Sequence, residues 1–255
     1  MHISYESRPA PHRRNEDFVV SGPTWVAVLD GATAPGGVDS GCVHDVPWLV
    51  AQLAGHLARG LTARRESPLT EVLEQAIRST MDAHGGTCDL TNPDSPSSTV
   101  TIVRRREDLI DYLVLCDSPL VLRRSDGTLT VVDDDRTERL PGGRPYTLEL
   151  VRSLRNRPGG FWVASTRPEA AGEALTGTID ADRVSGVLLM TDGVGRLVQW
   201  FGRSWGDLVD LAESHGPGAL IDQVRAEERD HEPPHRAKRH DDATAAWVTW
   251  PGAGT

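Results

Sequence analysis

The chain has 255 residues, of which 38% are hydrophobic and 25% charged, a globular balance that supplies a sizeable core. Its 37 acidic side chains outnumber 27 basic ones for a net charge of −10, which excludes the broad basic face of a nucleic-acid binder; Arg104-Arg105-Arg106, the densest basic run, reads as a solvated strand end before a turn. No apolar run is long enough to span a membrane, Met1 to Tyr5 has no leader-like character, and the scattered Cys42, Cys88 and Cys116 show neither a disulfide framework nor a metal-type spacing, so free thiols in a reducing cytosol are expected.

The polar cluster Arg13-Arg14-Asn15-Glu16-Asp17 leads into a short strand at Phe18-Val19-Val20. Ser21-Gly22-Pro23 turns the chain into an apolar run from Thr24 to Leu29, and the two strands suit a hairpin. That run ends abruptly in Asp30-Gly31. Gly31 to Gly41 is rich in Gly, Ala and Pro. Asp45 is a plausible N-cap with Pro47 in the first turn, and Trp48, Leu49, Leu53, His56 and Leu57 mark a helix face. Ser67-Pro68 opens a second helix carrying Leu69, Val72, Leu73, Ala76 and Ile77, which Gly85-Gly86 ends.

From Ser97 the pattern changes to strands: Ser98 to Val103, Leu109 to Leu115, Leu120 to Arg123 and Leu129 to Val132. Their tight turns predict an antiparallel meander rather than βαβ units. Residues 137–185 are irregular and suit a flap insertion, with helix expected at Leu148 to Leu154 and Glu169 to Leu175. Val187 to Met190 is a buried strand ending in Thr191-Asp192-Gly193, the same pattern as Asp30-Gly31. Helical pieces follow at Val194 to Trp200, Leu208 to Leu211 and Leu220 to Val224. The polar run Glu227 to His240 precedes a last strand, Ala243 to Trp250.

This order suits two antiparallel sheets packed face to face with helices outside, in one domain over residues 1–255, since no linker or repeat divides the chain. Asp17, Asp30, Asp192 and Asp241 all fall at strand ends. Hard divalent cations take oxygen ligands of this kind. Three blander readings stand beside this one. Asp117 caps a turn through its side chain. His231, His235 and His240 lie in a solvated loop, not in a zinc site. Trp162 and Trp200 are packing residues.

Together these stretches resemble the metal-dependent protein phosphatase family, protein phosphatase 2C, over nearly the whole chain. Asn15-Glu16-Asp17 resembles its first acidic motif, and Val28-Leu29-Asp30-Gly31 its Asp-Gly motif. Ser97-Ser98-Thr99-Val100 is similar to the Gly-Ser-Thr-Ala strand, and Cys116-Asp117-Ser118 to the Gly-Asp-Ser turn. Met190-Thr191-Asp192-Gly193 and His240-Asp241-Asp242-Ala243-Thr244 resemble the two closing motifs. The resemblance implies an α+β fold, a four-layer α/β/β/α sandwich. It implies two Mn²⁺ or Mg²⁺ ions held by Asp17, Asp30, Asp192, Asp241 and the Gly31 carbonyl, with Asp94 as ligand of a weak third. Asp30 and Asp192 would be catalytic through those ions, with a metal-bridging hydroxide as nucleophile and Arg13 neutralising the phosphate.

Two departures touch the substrate side. Ala32 follows Asp-Gly where some members carry a histidine, and His12 stands where the phosphate-binding arginine is usual, with Arg13 one place later. The expectation is a cytoplasmic serine/threonine phosphatase, monomeric in preference, acting on a phosphorylated protein and touching neither nucleic acid nor membrane. The alternatives are a pseudophosphatase binding module and a phosphatase of a small phosphorylated metabolite.

Overall fold

The computed structural model describes residues 1–32, 34, 36–234 and 238–250. Two five-stranded antiparallel sheets stack face to face. The first contains β1 (His2–Arg8), β8 (Leu120–Arg124), β9 (Leu129–Val132), β11 (Val184–Met190) and β12 (Ala243–Thr249), in the order β1-β12-β11-β8-β9. The second contains β2 (Phe18–Ser21), β3 (Trp25–Leu29), β6 (Val100–Arg106), β7 (Leu109–Leu115) and β10 (Leu175–Asp180), in the order β10-β7-β6-β3-β2. A two-stranded ribbon joins β4 (Gly31–Ala32) to β5 (Ser97–Ser98).

Side-chain alternation along the strands assigns the layers. In β3, Val26 and Val28 face the other sheet, while Trp25, Ala27 and Leu29 pack on helices α1 (Val46–Ala63) and α2 (Leu69–Ala83). In β11, Val187 and Leu189 face inward, while Leu188 and Met190 pack on α4 (Asp192–Gln199), α5 (Trp205–His215) and α6 (Pro217–Asp230). Both faces of these strands are covered, which is why they read as continuous apolar runs. The result is the expected α/β/β/α sandwich.

Local signals set the helix starts. The Asp45 carboxylate accepts from the Trp48 amide at 3.0 Å and so caps α1, a contact worth about 1 kcal/mol. Ser204 and Asp207 form a capping box at α5. Among the described residues no helix is long and apolar enough to cross a membrane.

Four expectations need correction. Strands β6 to β9 are not one meander: β6 and β7 pair in one sheet, β8 and β9 in the other, and the chain changes sheets across Cys116–Pro119. The cause is the turn itself, where Cys116 has a φ of +67°. Residues 168–173 form a 3-10 turn whose Ala170 and Ala171 pack in the α1–α2 core, and 175–180 form edge strand β10 against β7. That confines any flap to about residues 138–167, which include α3 (Leu148–Leu154). Arg104 is not solvated: its side chain is 2% exposed and pairs with Asp111 at 2.8 Å. Finally, His2–Arg8 forms β1 on β12, where the sequence suggested no element.

Candidate metal centre

The register of the β2–β3 hairpin, with Phe18 opposite Leu29, sets Asp17 across from Asp30. The Gly31 amide donates to the Glu16 carbonyl at 3.1 Å and closes that end. Here a glycine is required, since a Cβ on residue 31 would lie 2.6 Å from the Glu16 oxygen and 2.4 Å from Val46 Cγ1. In the other sheet, Met190 opposite Ala245 brings Asp192-Gly193 beside Asp241-Asp242. The approach is so close that a Cβ on Gly193 would lie 1.9 Å from the Asp242 carbonyl oxygen. Thr191 joins the two halves by donating its hydroxyl to Asp17 Oδ2 at 2.9 Å.

Asp17, Asp30 and Asp192 therefore converge where the two sheets meet. Burial, then mutual repulsion, controls their chemistry. Burial pushes Asp17 up to about 8, with the Thr244 and Thr191 hydroxyls opposing and the Asp242 and Asp192 charges adding to the rise. Burial, then the charges of Asp17, Asp192, Asp241 and Asp117, hold Asp30 well above the usual carboxylate range. Asp192 is raised to about 6 by burial and the Asp241 charge, while the Arg196 charge and the side-chain interaction with Asp30 oppose the rise. The buried Asp17 Oδ1 has no hydrogen-bond partner among the described residues. Packed carboxylates with an orphaned oxygen and no nitrogen or sulfur donor among them fit hard divalent cations.

Asp241 is differently placed. Its Oδ2 accepts from the buried Arg196 at 2.6 Å, and its Oδ1 accepts from the Asp242 amide at 3.2 Å. Arg196 also pairs with buried Glu228 at 3.2 Å, and Arg225 and His240 complete the partners of that glutamate. This fixed guanidinium offsets part of the cluster's negative charge. It escaped the sequence reading because a lone arginine one turn into a helix carries no local signal of a partner 45 residues away.

The polar supports lie on the strand that the Ser97–Val100 motif marks. Thr99 Oγ1 accepts from the Asp30 amide at 3.2 Å and lies 2.6 Å from the Ser118 hydroxyl. Asp117 accepts from Thr137 at 3.0 Å while adding its charge to Asp30 and Asp192, so it borders the centre as well as bracing the turn. Asp242 is a clamp, accepting from the Ala10 and Glu16 amides at 2.7 and 2.6 Å. The Arg13 side chain is exposed and makes no ion pair among the described residues.

Asp94 does not join the cluster. Both its oxygens accept from Arg152 Nε, at 3.0 and 2.8 Å, and Arg155 grips the neighbouring Pro93 and Ser95 carbonyls. A third ion at Asp94, the sequence expectation, would have to compete with the Arg152 guanidinium for the same carboxylate oxygens. His231 and His240 go to separate acids, Glu227 and Glu228, and His235 lies outside the described residues. Trp162 packs in the α1–α2 core and Trp200 lies over the Arg196 guanidinium.

Comparison with known proteins agrees with this architecture. The chain superposes on a Ser-Thr phosphatase of the PPM class, MsPP from Mycobacterium smegmatis, with a TM-score of 0.61 at 19% identity, covering 98% of each chain. It superposes on the catalytic domain of the serine/threonine phosphatase PstP in complex with two manganese ions with a TM-score of 0.60 at 17% identity, covering 97% of each chain. For the phosphatase Stp1 from Staphylococcus aureus the TM-score is 0.62 at 15% identity, covering 98% of this chain and 95% of that one. At these identities the likeness is one of fold. A comparison with curated protein sequences finds no match. The sequence model described as protein phosphatase 2C matches residues 14–223, most of the chain. The chain thus belongs to the protein phosphatase 2C family.

Proposed function

We propose that this chain is a metal-dependent phosphatase, acting as one domain, that hydrolyses phosphoserine or phosphothreonine on proteins. The observation that carries the reading is the buried Asp17–Asp30–Asp192 cluster with its unpartnered Asp17 oxygen. Asp30 and Asp192 would hold two ions between the sheets, with Asp17 and the Gly31 carbonyl completing the protein donors and Asp241 at the margin beside Arg196. When bound, Mn²⁺ or Mg²⁺ would supply an activated water and a Lewis acid for the phosphoryl oxygens. The relative PstP, which carries two manganese ions, supports this choice of metal.

The chain's own residues do the remaining work. Thr99 and Ser118 fix the Asp30 backbone, and Thr191 fixes Asp17, so the carboxylates keep their spacing when they lose protons. Exposed Arg13 neutralises the non-bridging oxygens of an arriving phosphate. We propose two ions rather than three, because Arg152 occupies Asp94. An exposed arginine four residues before Asp17 suits a phosphate on a bulky substrate, and a cytoplasmic setting accords with free thiols.

The test is release of inorganic phosphate from phosphoserine and phosphothreonine peptides against a panel of phosphorylated metabolites, each with Mn²⁺. Preference for the peptides is expected. Turnover of metabolites alone would transfer the assignment to small-molecule chemistry, and metal binding without turnover of any substrate would make the chain a pseudophosphatase.

A further inference from the structure

Cys42, His44, His84 and Cys88 converge at the ends of α1 and α2, in a cluster separate from the carboxylates. One ligand-type atom from each lies within 4.8 Å of all the others. The sequence reading treated the cysteines as scattered thiols. The structure places their sulfurs 2.9 Å apart, unbonded, with His44 Nδ1 at 3.7 Å from Cys42 and 3.4 Å from Cys88. We infer that these four side chains form a structural site for a single Zn²⁺ ion.

Donor chemistry selects the metal. Two thiolates and two imidazoles are the set that tetrahedral zinc takes in closed sites, and hard Mg²⁺ or Mn²⁺ avoids it. Zinc bonds of ordinary length place sulfur and nitrogen ligands about 3.5 Å apart on a tetrahedral edge, and two sulfurs about 3.8 Å apart. The observed sulfur–nitrogen distances already bracket the first value. Loading therefore needs the sulfurs to separate by roughly 1 Å.

The surroundings are built for ligation. His84 is buried, and its Nδ1 lies 2.9 Å from the Thr80 carbonyl one turn back. A carbonyl can only accept, so Nδ1 carries the proton and Nε2 keeps its lone pair. This is the outer hydrogen bond that orients metal-bound histidines. His44 stacks on Trp48 at 3.7 Å, which fixes its ring plane. The two ligand loops are drawn together independently of any ion: the Asp89 amide donates to the Gly41 carbonyl at 2.8 Å, and Asn92 Nδ2 donates to the Asp39 carbonyl at 3.1 Å.

The four protein ligands leave no open position, so the role is structural. The ion would bind the chain entering α1 to the chain leaving α2. That anchors the far end of the loop that starts at Asp30-Gly31. Each thiol gives up its proton on binding, so loading releases two protons per Zn²⁺ with no change of oxidation state.

The experiment uses the full chain with Zn²⁺ and Co²⁺ as probes. Reduced protein is stripped of metal, titrated with Zn²⁺ against a competing chelator, and separately loaded with Co²⁺ for absorption spectra. Because zinc also has access to the carboxylates, Asp30→Asn is measured beside wild type, Cys42→Ser and Cys88→Ser. Expected are one tight zinc and an intense sulfur-to-cobalt charge-transfer band in wild type and Asp30→Asn, with both lost in the cysteine variants. The wild-type cobalt spectrum decides the matter even where a cysteine variant fails to fold. A cobalt spectrum lacking the sulfur band, a tight zinc that survives cysteine removal, or no tight zinc in the reduced protein overturns the site.

Discussion

Removing the charge of Asp17 should stabilise the metal-free protein, by an amount that grows with pH. Burial raises Asp17 to about 8, whereas an aspartate in the unfolded chain titrates near about 4. Between these values the folded chain keeps a proton that the unfolded chain has released. The proton count is therefore larger in the folded state, and stability falls as pH rises. The loss is fully avoided below the unfolded value and stops growing above about 8. From pH 5 to pH 8 the Asp17 contribution alone sums to a loss of about 4 kcal/mol, a large share of a typical domain's stability. Asp192, raised to about 6, adds to the slope at the acid end of that range. The assay is urea unfolding in excess chelator at several pH values, for wild type and Asp17→Asn. Asparagine keeps an acceptor for Thr191 but has no proton to lose. Wild-type stability should fall with pH by about 1.4 kcal/mol per unit more steeply than that of the variant, and saturating Mn²⁺ should cancel the difference by binding only the folded wild type. Parallel pH curves for the two proteins in chelator would refute the reasoning.

Gly193→Ala forces a methyl into the Asp242 carbonyl, and should cost about 1 to 3 kcal/mol in urea unfolding while abolishing metal-dependent activity. Arg196→Met strips the buried Glu228 of one cation and frees Asp241; with Arg225 and His240 still in place, the loss should be about 3 kcal/mol by the same measurement. Asp94→Ala removes a buried carboxylate that pairs with part-exposed Arg152 and whose charge also favours the buried Arg155 guanidinium, so stability should fall by about 1 to 3 kcal/mol. Its activity against Mn²⁺ concentration should superimpose on wild type, and a shift to higher metal would restore the third ion.

Reading the sequence reached those parts of the fold that local pattern controls. Strands buried on both faces announce themselves as apolar runs, so the paths into Asp30 and Asp192 were legible, as were the Asp45 cap and the β2–β3 hairpin. What it missed depends on partners distant in the chain. Strand β1 is half-polar and is defined by its pairing with β12, more than two hundred residues on. The exchange of sheets at Cys116–Pro119 looks like any tight turn. Arg104, Arg152 and Arg196 were unreadable as ion-paired arginines because their acids lie on other segments or across a hairpin. For Cys42 and Cys88 the C-x-H and H-x-x-x-C pairs were a usable signal; counting cysteines alone hid it, since each pair contributes one.

The central claim is that buried carboxylates confer metal-dependent phosphoryl hydrolysis. The most direct measurement is para-nitrophenyl phosphate hydrolysis by wild type and Asp30→Asn, first in excess EDTA and then with Mn²⁺ restored. Wild type should be inactive in chelator and active with Mn²⁺, and folded Asp30→Asn inactive in both. Undiminished wild-type turnover in chelator, or full activity of Asp30→Asn, would contradict the account.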